Sequence, residues 1–194
     1  MNITTLIVSV EIPIEKKEKI PNLFELIKNE EAIKIFKPNS FQNQIFFTSE
    51  DGNRLITLEP ENTISITFNP KNLTNQVILK VEEEINEILN LISKKYSYNH
   101  LHQNMHIHLD KIKLKFNPVN LVEVKDMRDT FGDKLIEVGM VGFEISIGKD
   151  KNAKITFFKD GTLGIAFKDF NSNKVNIINN RNAIFESLES ILEK

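Results

Sequence analysis

The sequence predicts an α+β fold, in which two tandem, pseudo-symmetric repeats form a curved antiparallel sheet with helices on its convex face. Three observations lead to this prediction. The halves of the 194-residue chain fall into register at an offset of 99 residues. Each half contains short segments of alternating apolar and polar residues, and each half ends in a segment of helical period. We place the first repeat at residues 1–97 and the second at 98–194, within one continuous domain.

The internal repeat is clearest from Asp51 to Phe68, which aligns without a gap with Asp150 to Phe167. Seven of the 18 aligned positions are identical, whereas unrelated sequences of ordinary composition would share about one. The apolar positions near both ends of the unit keep the same offset. A duplication explains this pattern.

The first repeat begins with residues 4–12, whose alternation of apolar and polar side chains predicts a half-buried strand. The charged segment 15–31 carries its apolar residues on one face, which predicts a short helix. Four strand-like segments follow, separated by turn residues: 32–37, 43–49, 54–59 and 63–68.

A long amphipathic helix closes the repeat at roughly 74–94. Its predicted apolar stripe consists of Val77, Val81, Ile85, Ile88, Leu89 and Ile92. The second repeat follows the same order and ends in a helix around 180–193. Each repeat thus contains a strand, a helix, a meander of four strands and a long helix. Because the helices cover one face of the sheet, the other face is left open.

Strand parity predicts which side chains lie on the open face. If Leu6, Val8 and Val10 face the helices, their neighbours face outward. The outward residues of the two central strands are then Thr5, Ile7, Ser9, Glu11, Asn104, His106, His108 and Asp110. Those of the meanders are Thr57, Glu59, Ser65, Thr67, Thr156, Phe158, Gly164 and Ala166. This set includes carboxylates but no Lys or Arg. The basic candidates for its rim are Lys34, Lys37, Arg54, Lys154 and Lys159.

Composition and motifs exclude several classes of protein. No apolar run approaches the ~18 residues of a membrane span, so we expect no membrane partner. The absence of Cys excludes disulfides and thiolate chemistry and leads us to expect an intracellular protein, cytoplasmic or nuclear. Since no phosphate-binding loop, nucleophile elbow or H-E-x-x-H motif occurs, we expect no enzyme activity and no cofactor.

All four histidines lie within nine residues: His100, His102, His106 and His108. Two imidazoles at i and i+2 of a strand lie on one face and can converge on a metal ion. His106 and His108 are therefore candidate metal ligands, which Glu11, Asp110 or Glu144 would complete. The alternative is a polar strand that faces solvent.

Several segments resemble the TATA-box-binding protein family. Phe36-Lys37-Pro38-Asn39-Ser40-Phe41 resembles the family's aromatic-x-Pro-x-x-Phe stretch, and Phe158-Lys159-Asp160-Gly161 resembles its Phe-x-x-Gly turn. Gln103-Asn104-Met105 is similar to the family segment whose Asn contacts base edges. The positions that depart from the family pattern are Met140, Glu59, Thr5 and Ala166.

The resemblance implies a saddle whose concave sheet grips the minor groove of A·T-rich duplex DNA. Phe41 and Phe158 would wedge into base steps, while Asn104, Thr5 and Thr67 would contact base edges. Ile7 completes the predicted DNA-binding set, and proteins of the transcription machinery would be further partners. The alternative is a repurposed scaffold that has lost DNA binding and holds a protein partner or a metal ion.

Overall fold

The structure, a computed structural model, describes residues 2–14, 36–41, 44–59, 63–71, 73–94, 96–110, 112, 115, 140–158 and 160–189. Within these residues it contains nine strands and two helices. The strands are β1 (Asn2–Pro13), β2 (Phe36–Phe41), β3 (Gln44–Ser49), β4 (Arg54–Glu59), β5 (Thr63–Phe68), β6 (Leu101–Asp110), β7 (Met140–Gly148), β8 (Lys151–Phe158) and β9 (Leu163–Ser172). The helices are α1 (Asn75–Ser93) and α2 (Ile177–Glu189).

All nine strands form one sheet in the order β2-β3-β4-β5-β1-β6-β9-β8-β7. Every neighbouring pair is antiparallel. The predicted α+β class and antiparallel sheet are therefore confirmed. The predicted helix at 15–31 lies outside the described residues, and so do residues 32–35 of the strand predicted after it.

The core lies between the sheet and the helices, as the strand alternation predicts. Leu6, Val8 and Val10 of β1 are completely buried, and Met105 and Ile107 of β6 are as well. Burial of each such side chain stabilises the fold by about 1.5–3 kcal/mol. Because side chains alternate along a strand, the intervening residues lie on the opposite face.

Helix α1 begins after Thr74, whose side chain accepts a hydrogen bond from the backbone N–H of Val77 at 3.3 Å and so caps the helix. The face that packs on the sheet consists of Ile78, Val81, Ile85, Ile88, Leu89 and Ile92. The predicted stripe is therefore wrong at its first member. Ile78 continues the 3–4 spacing of the buried residues, whereas Val77 lies about 100° further round the helix and is half-buried.

Helix α2 starts at Ile177, three residues earlier than predicted, and is described as far as Glu189. Side chains of α1 hold its first turn. Glu82 Oε2 accepts the N–H of Ile178 at 3.0 Å, and Asn86 bonds both backbone groups of Val175, at 3.0 and 3.1 Å. These contacts satisfy amides that a helix N-terminus leaves without an internal partner.

A buried polar cluster lies between the sheet and the first turn of α2. Gln103 Oε1 accepts from the N–H of Asn176 at 3.3 Å and from Asn180 Nδ2 at 3.4 Å. Lys151 Nζ donates to Asn180 Oδ1 and lies 3.2 Å from Asp169 Oδ2. Asp169 is only 2% exposed, so the cluster fixes α2 over β6, β8 and β9 through polar contacts as well as apolar packing.

The turn between β3 and β4 is held by the carboxylate of Asp51. This group accepts hydrogen bonds from the Ser49 hydroxyl and from the backbone and side chain of Asn53, and it pairs with Arg54 at 3.2 Å. The Ser49 hydrogen bond is the largest cause that lowers the pKa of Asp51 to about 2, from its usual 3.8.

We expect Asp51→Asn to reduce the dependence of stability on pH below pH 5. Because folding lowers this pKa, the charged carboxylate stabilises the fold above pH 3.8 and loses that effect as the pH falls towards 2. Since Asp51 is largely exposed, the difference in unfolding free energy should stay below about 1 kcal/mol. Urea unfolding at pH 2.5 and pH 6 measures it, with exposed Glu83→Gln as the control. If Asp51→Asn changed the unfolding free energy by the same amount at pH 2.5 and at pH 6, the prediction would be contradicted.

Candidate nucleic-acid interface

The face of the sheet turned away from α1 and α2, called the open face below, has β1 and β6 at its centre. Ile7 lies directly opposite His106, and Thr5 lies opposite His108. Both imidazoles are exposed, while Ile7 and Thr5 are half-buried. Two residues of the predicted DNA-binding set and both candidate metal ligands therefore lie side by side in the middle of this face.

Small side chains extend this face across β9 and β8. Ala166 of β9 lies opposite His106, Gly164 lies opposite His108, and Thr156 of β8 lies opposite Gly164. Because Ala166 has only a methyl side chain, a flat partner can approach the backbone of β9 closely at this position.

Phe158 lies at the end of β8, on the open face, with 36% of its surface exposed. Its ring lies over Gly164, since a Cβ atom added to that glycine would be 3.2 Å from Phe158 Cε2. Met140 lies opposite Phe158 on β7 and is 64% exposed. The absence of a side chain at Gly164 thus leaves room for the Phe158 ring, which forms an exposed apolar patch with Met140.

Thr67 and Asn104, both predicted to contact DNA, are held by neighbours on the open face. The Thr67 hydroxyl lies 2.7 Å from that of Ser9, and Asn104 Nδ2 donates to Glu11 Oε1 at 3.3 Å. These hydrogen bonds orient both side chains. They also place a carboxylate beside Asn104, which a polyanion would have to displace or accommodate.

Two lysines of the open face were missing from the outward residues predicted by parity. Lys168 lies opposite Asn104, and Lys154 lies opposite Ala166 and Glu144. Both lysines are exposed. The expectation of an open face without cations is therefore wrong, because β8 and β9 each contribute one lysine to it.

Of the other basic residues considered for the rim, Arg54 lies on the helix side. Its guanidinium bonds Glu84 of α1 at 2.9 and 3.3 Å, so its assignment to the rim is wrong. Lys37 forms an exposed ion pair with Glu50 at 2.6 Å. Lys34 and Lys159 lie outside the described residues.

An aromatic cluster at the other end of β9 was also absent from the predicted site. Phe170 is 43% exposed, and its ring contacts that of His102 edge to face at 6.1 Å. His102 stacks on His100 at 5.2 Å, and Lys168 Nζ lies 5.9 Å from the centre of the Phe170 ring. Strand β9 continues to Ser172, and applying the same parity along its full length would have identified both Lys168 and Phe170.

The candidate metal ligands His106 and His108 lie on one face, two residues apart on β6. Among the described residues, no group of three or more His, Cys, Asp or Glu side chains is arranged to hold a metal ion. The pair stays a prediction without a third ligand in that part of the chain.

Two further positions of the predicted site fall where side chains are not described. Phe41 ends β2 and Glu59 ends β4, and the side chains of both lie outside the described set. Neither described helix is long and apolar enough to span a membrane.

Comparisons with known proteins give one kind of match. No protein-family model matches this chain, and no curated protein matches it either. Among solved structures, the chain is similar to Methanococcus jannaschii TBP, with 12% sequence identity and a TM-score of 0.41 over 98% of each chain.

Proposed function

We propose that this chain is a non-catalytic protein that binds the minor groove of A·T-rich duplex DNA with its open face. The exposed ring of Phe158 on Gly164, at the end of a broad open sheet, carries this proposal. Proteins that bind the minor groove insert apolar side chains between base steps and kink the duplex. A·T-rich sequences that contain TA steps are favoured, because these flexible steps cost less energy to kink.

The other residues of the open face have complementary roles under this proposal. Ala166 lets the sheet approach the groove, Gly164 leaves room for the Phe158 ring, and Thr5, Thr67 and Asn104 contact base edges. The central Ile7 packs against the floor of the groove. Lys154 and Lys168 neutralise phosphates, which supplies much of the affinity for DNA.

We also propose that the sheet has an approximate two-fold axis between β1 and β6. Where such an axis crosses the sheet, a residue of the first repeat should lie opposite the residue 99 positions later in the chain. Ile7 and His106 differ by this offset and lie directly opposite each other. The pairing supports a saddle of two repeats, for which we propose a boundary between residues 97 and 98.

The differences between aligned residues of the two repeats lead us to expect asymmetric bending of DNA. At the offset of 99, Phe158 aligns with Glu59 and Phe41 aligns with Met140. Each half therefore keeps one of its two aromatic wedges. The helix side stays available for proteins of the transcription machinery.

The second candidate function is a scaffold whose open face binds a protein instead of DNA. The carboxylates of Glu11 and Glu144 favour it, because both lie on the open face and repel phosphates. A duplex-binding measurement separates the two functions.

We expect Phe158→Ala to weaken binding to an A·T-rich duplex at least about tenfold, since removal of the wedge eliminates the interactions that offset the cost of unstacking. Fluorescence anisotropy with a labelled A·T-rich duplex, a G·C-rich duplex and two salt concentrations measures this. Leu79→Ala is the matched control, because Leu79 is an exposed apolar residue (45%) on α1.

The outcomes separate the proposals. Salt-dependent binding that prefers A·T and is weakened by Phe158→Ala but not by Leu79→Ala would support the groove-binding function. Absence of binding at micromolar protein in low salt would refute it and favour the protein-binding scaffold. Equal weakening in both variants would show that Phe158 has no particular part in binding.

A further inference from the structure

Two adjoining cavities open on the helix side of the sheet, away from the open face. They have volumes of about 330 and 500 Å³. Both lie between the β3–β4 turn and the first half of α1, and they share the lining residues Asp51, Arg54 and Lys80. Volumes of this size are typical of small-molecule sites.

The smaller cavity has apolar walls and basic residues around them. Its apolar lining comes from the end of β5 and from α1: Phe68, Pro70, Val77 and Val81. Val77 is the residue that the apolar stripe of α1 does not bury, and it is directed into this cavity. Lys71 and Lys80 are exposed lining residues.

Arg54 forms a fixed part of the lining. Its guanidinium lies 5.5 Å from the centre of the Phe68 ring. It also donates to both carboxylate oxygens of Glu84 and to Asp51. These three bonds use three of its five N–H groups and hold the guanidinium in place without a ligand, so the Arg54 wall of the cavity is preorganised.

The charges of the two cavities differ. The larger cavity has three cations and three carboxylates in its lining: Lys37, Arg54, Lys80, Glu50, Asp51 and Glu84. The smaller has three cations, Arg54, Lys71 and Lys80, and one carboxylate, Asp51. Lys71 makes no ion pair within the described part of the chain. Lys80 lies 4.0 Å from Glu84, which already pairs with Arg54.

We propose that the smaller cavity binds a small organic carboxylate that has an apolar body. The body packs between Phe68, Val77 and Val81, and the carboxylate lies between the ammonium groups of Lys71 and Lys80. Lys71, together with Lys80 whose only ion pair in the described residues is the 4.0 Å contact with Glu84, places positive charge beside an apolar wall and selects against neutral and cationic ligands of the same shape. This site is separate from the open face and does not depend on DNA binding.

Titration with 4-phenylbutyrate tests the site, with 4-phenylbutanamide as the uncharged probe of similar shape. We expect saturable binding by the carboxylate with a Kd of about 1 mM or below, and binding of the amide weakened at least about fivefold. Methyl NMR shifts should change at Val77 and Val81 and not at Ile155 or Ile165, which are buried on β8 and β9 and separated from β5 by β1 and β6.

Lys71→Gln/Lys80→Gln should weaken binding of 4-phenylbutyrate about tenfold, while Lys94→Gln, at the C-terminal end of α1, should leave it unchanged. Equal affinity for the amide would overturn the proposal, as would an unchanged Kd in the double variant. No saturation at about 10 mM carboxylate, or shifts that avoid Val77 and Val81, would also overturn it. DNA binding by the double variant should match that of the unaltered chain.

Discussion

Lys151→Met is expected to lower the unfolding free energy by about 3 kcal/mol. The substitution leaves the carboxylate of Asp169, which is 2% exposed, without its cation. Its remaining hydrogen bond in the described structure is a long one, 3.4 Å from the N–H of Asn171. Removing one member of a buried ion pair typically costs about 3–5 kcal/mol. The lower end applies because a third of the Lys151 side chain reaches water.

Lys154→Met is the control, because this lysine lies on the same strand but on the exposed face of the sheet. Urea denaturation of both variants should show a large decrease in stability for the first and less than about 0.5 kcal/mol for the second. The double variant Lys151→Met/Asp169→Asn should regain part of the stability, since no buried charge remains. Equal decreases for the two lysine variants would show that the Asp169 pair is not important for stability.

The fold was predictable because the alternation of the strands is strong. Leu6, Val8 and Val10 identify the core face of β1 from sequence alone, and their burial confirms it. Helix α1 was predicted to within one residue at each end. The misplaced Val77 shows what sequence does not determine. Val77 and Ile78 are both apolar, and the position of the helix over the strands buries Ile78 completely while Val77 stays half-buried.

The charged residues were harder to place, because their partners come from distant parts of the chain. Arg54 has the parity of the buried Ile56, and its partner Glu84 lies 30 residues further on. As a result, a strand-end cation that looked solvent-exposed in the sequence belongs to the helix side. Side chains also alternate along β8 and β9. Lys154 and Lys168 lie between buried positions of these strands and therefore face the open side of the sheet.

The buried polar cluster shows a second limit of the sequence patterns. Gln103 and Asp169 occupy core positions of β6 and β9, where alternation predicts apolar residues. Asn176 and Asn180 bond Gln103 only once α2 is in place, whereas Lys151 lies opposite Asp169 on the neighbouring strand β8. The Gln103 Nε2 group has no hydrogen-bond partner within the described structure. Polar groups left incompletely bonded in a core are costly, so Nε2 offsets part of the stabilisation from the two hydrogen bonds of Gln103 Oε1.

Lys154→Glu/Lys168→Glu is expected to weaken binding to duplex DNA about 100-fold at moderate salt. Under the proposed function these lysines neutralise phosphates, and removing each such lysine lowers the salt dependence of log K by about one unit. Lys154 lies opposite Glu144, so the variant also places two carboxylates side by side on that part of the face. Anisotropy titrations at several salt concentrations measure both the affinity and the slope.

Lys80→Glu/Lys94→Glu makes the same change of net charge on α1, away from the open face. If long-range attraction between the whole protein and DNA controlled binding, the two double variants would be weakened to a similar extent. If the open face binds phosphates, the α1 variant should be weakened less than about threefold and keep its salt slope. Equal effects would contradict the proposed phosphate contacts, because they would show that Lys154 and Lys168 contribute only through the net charge of the protein.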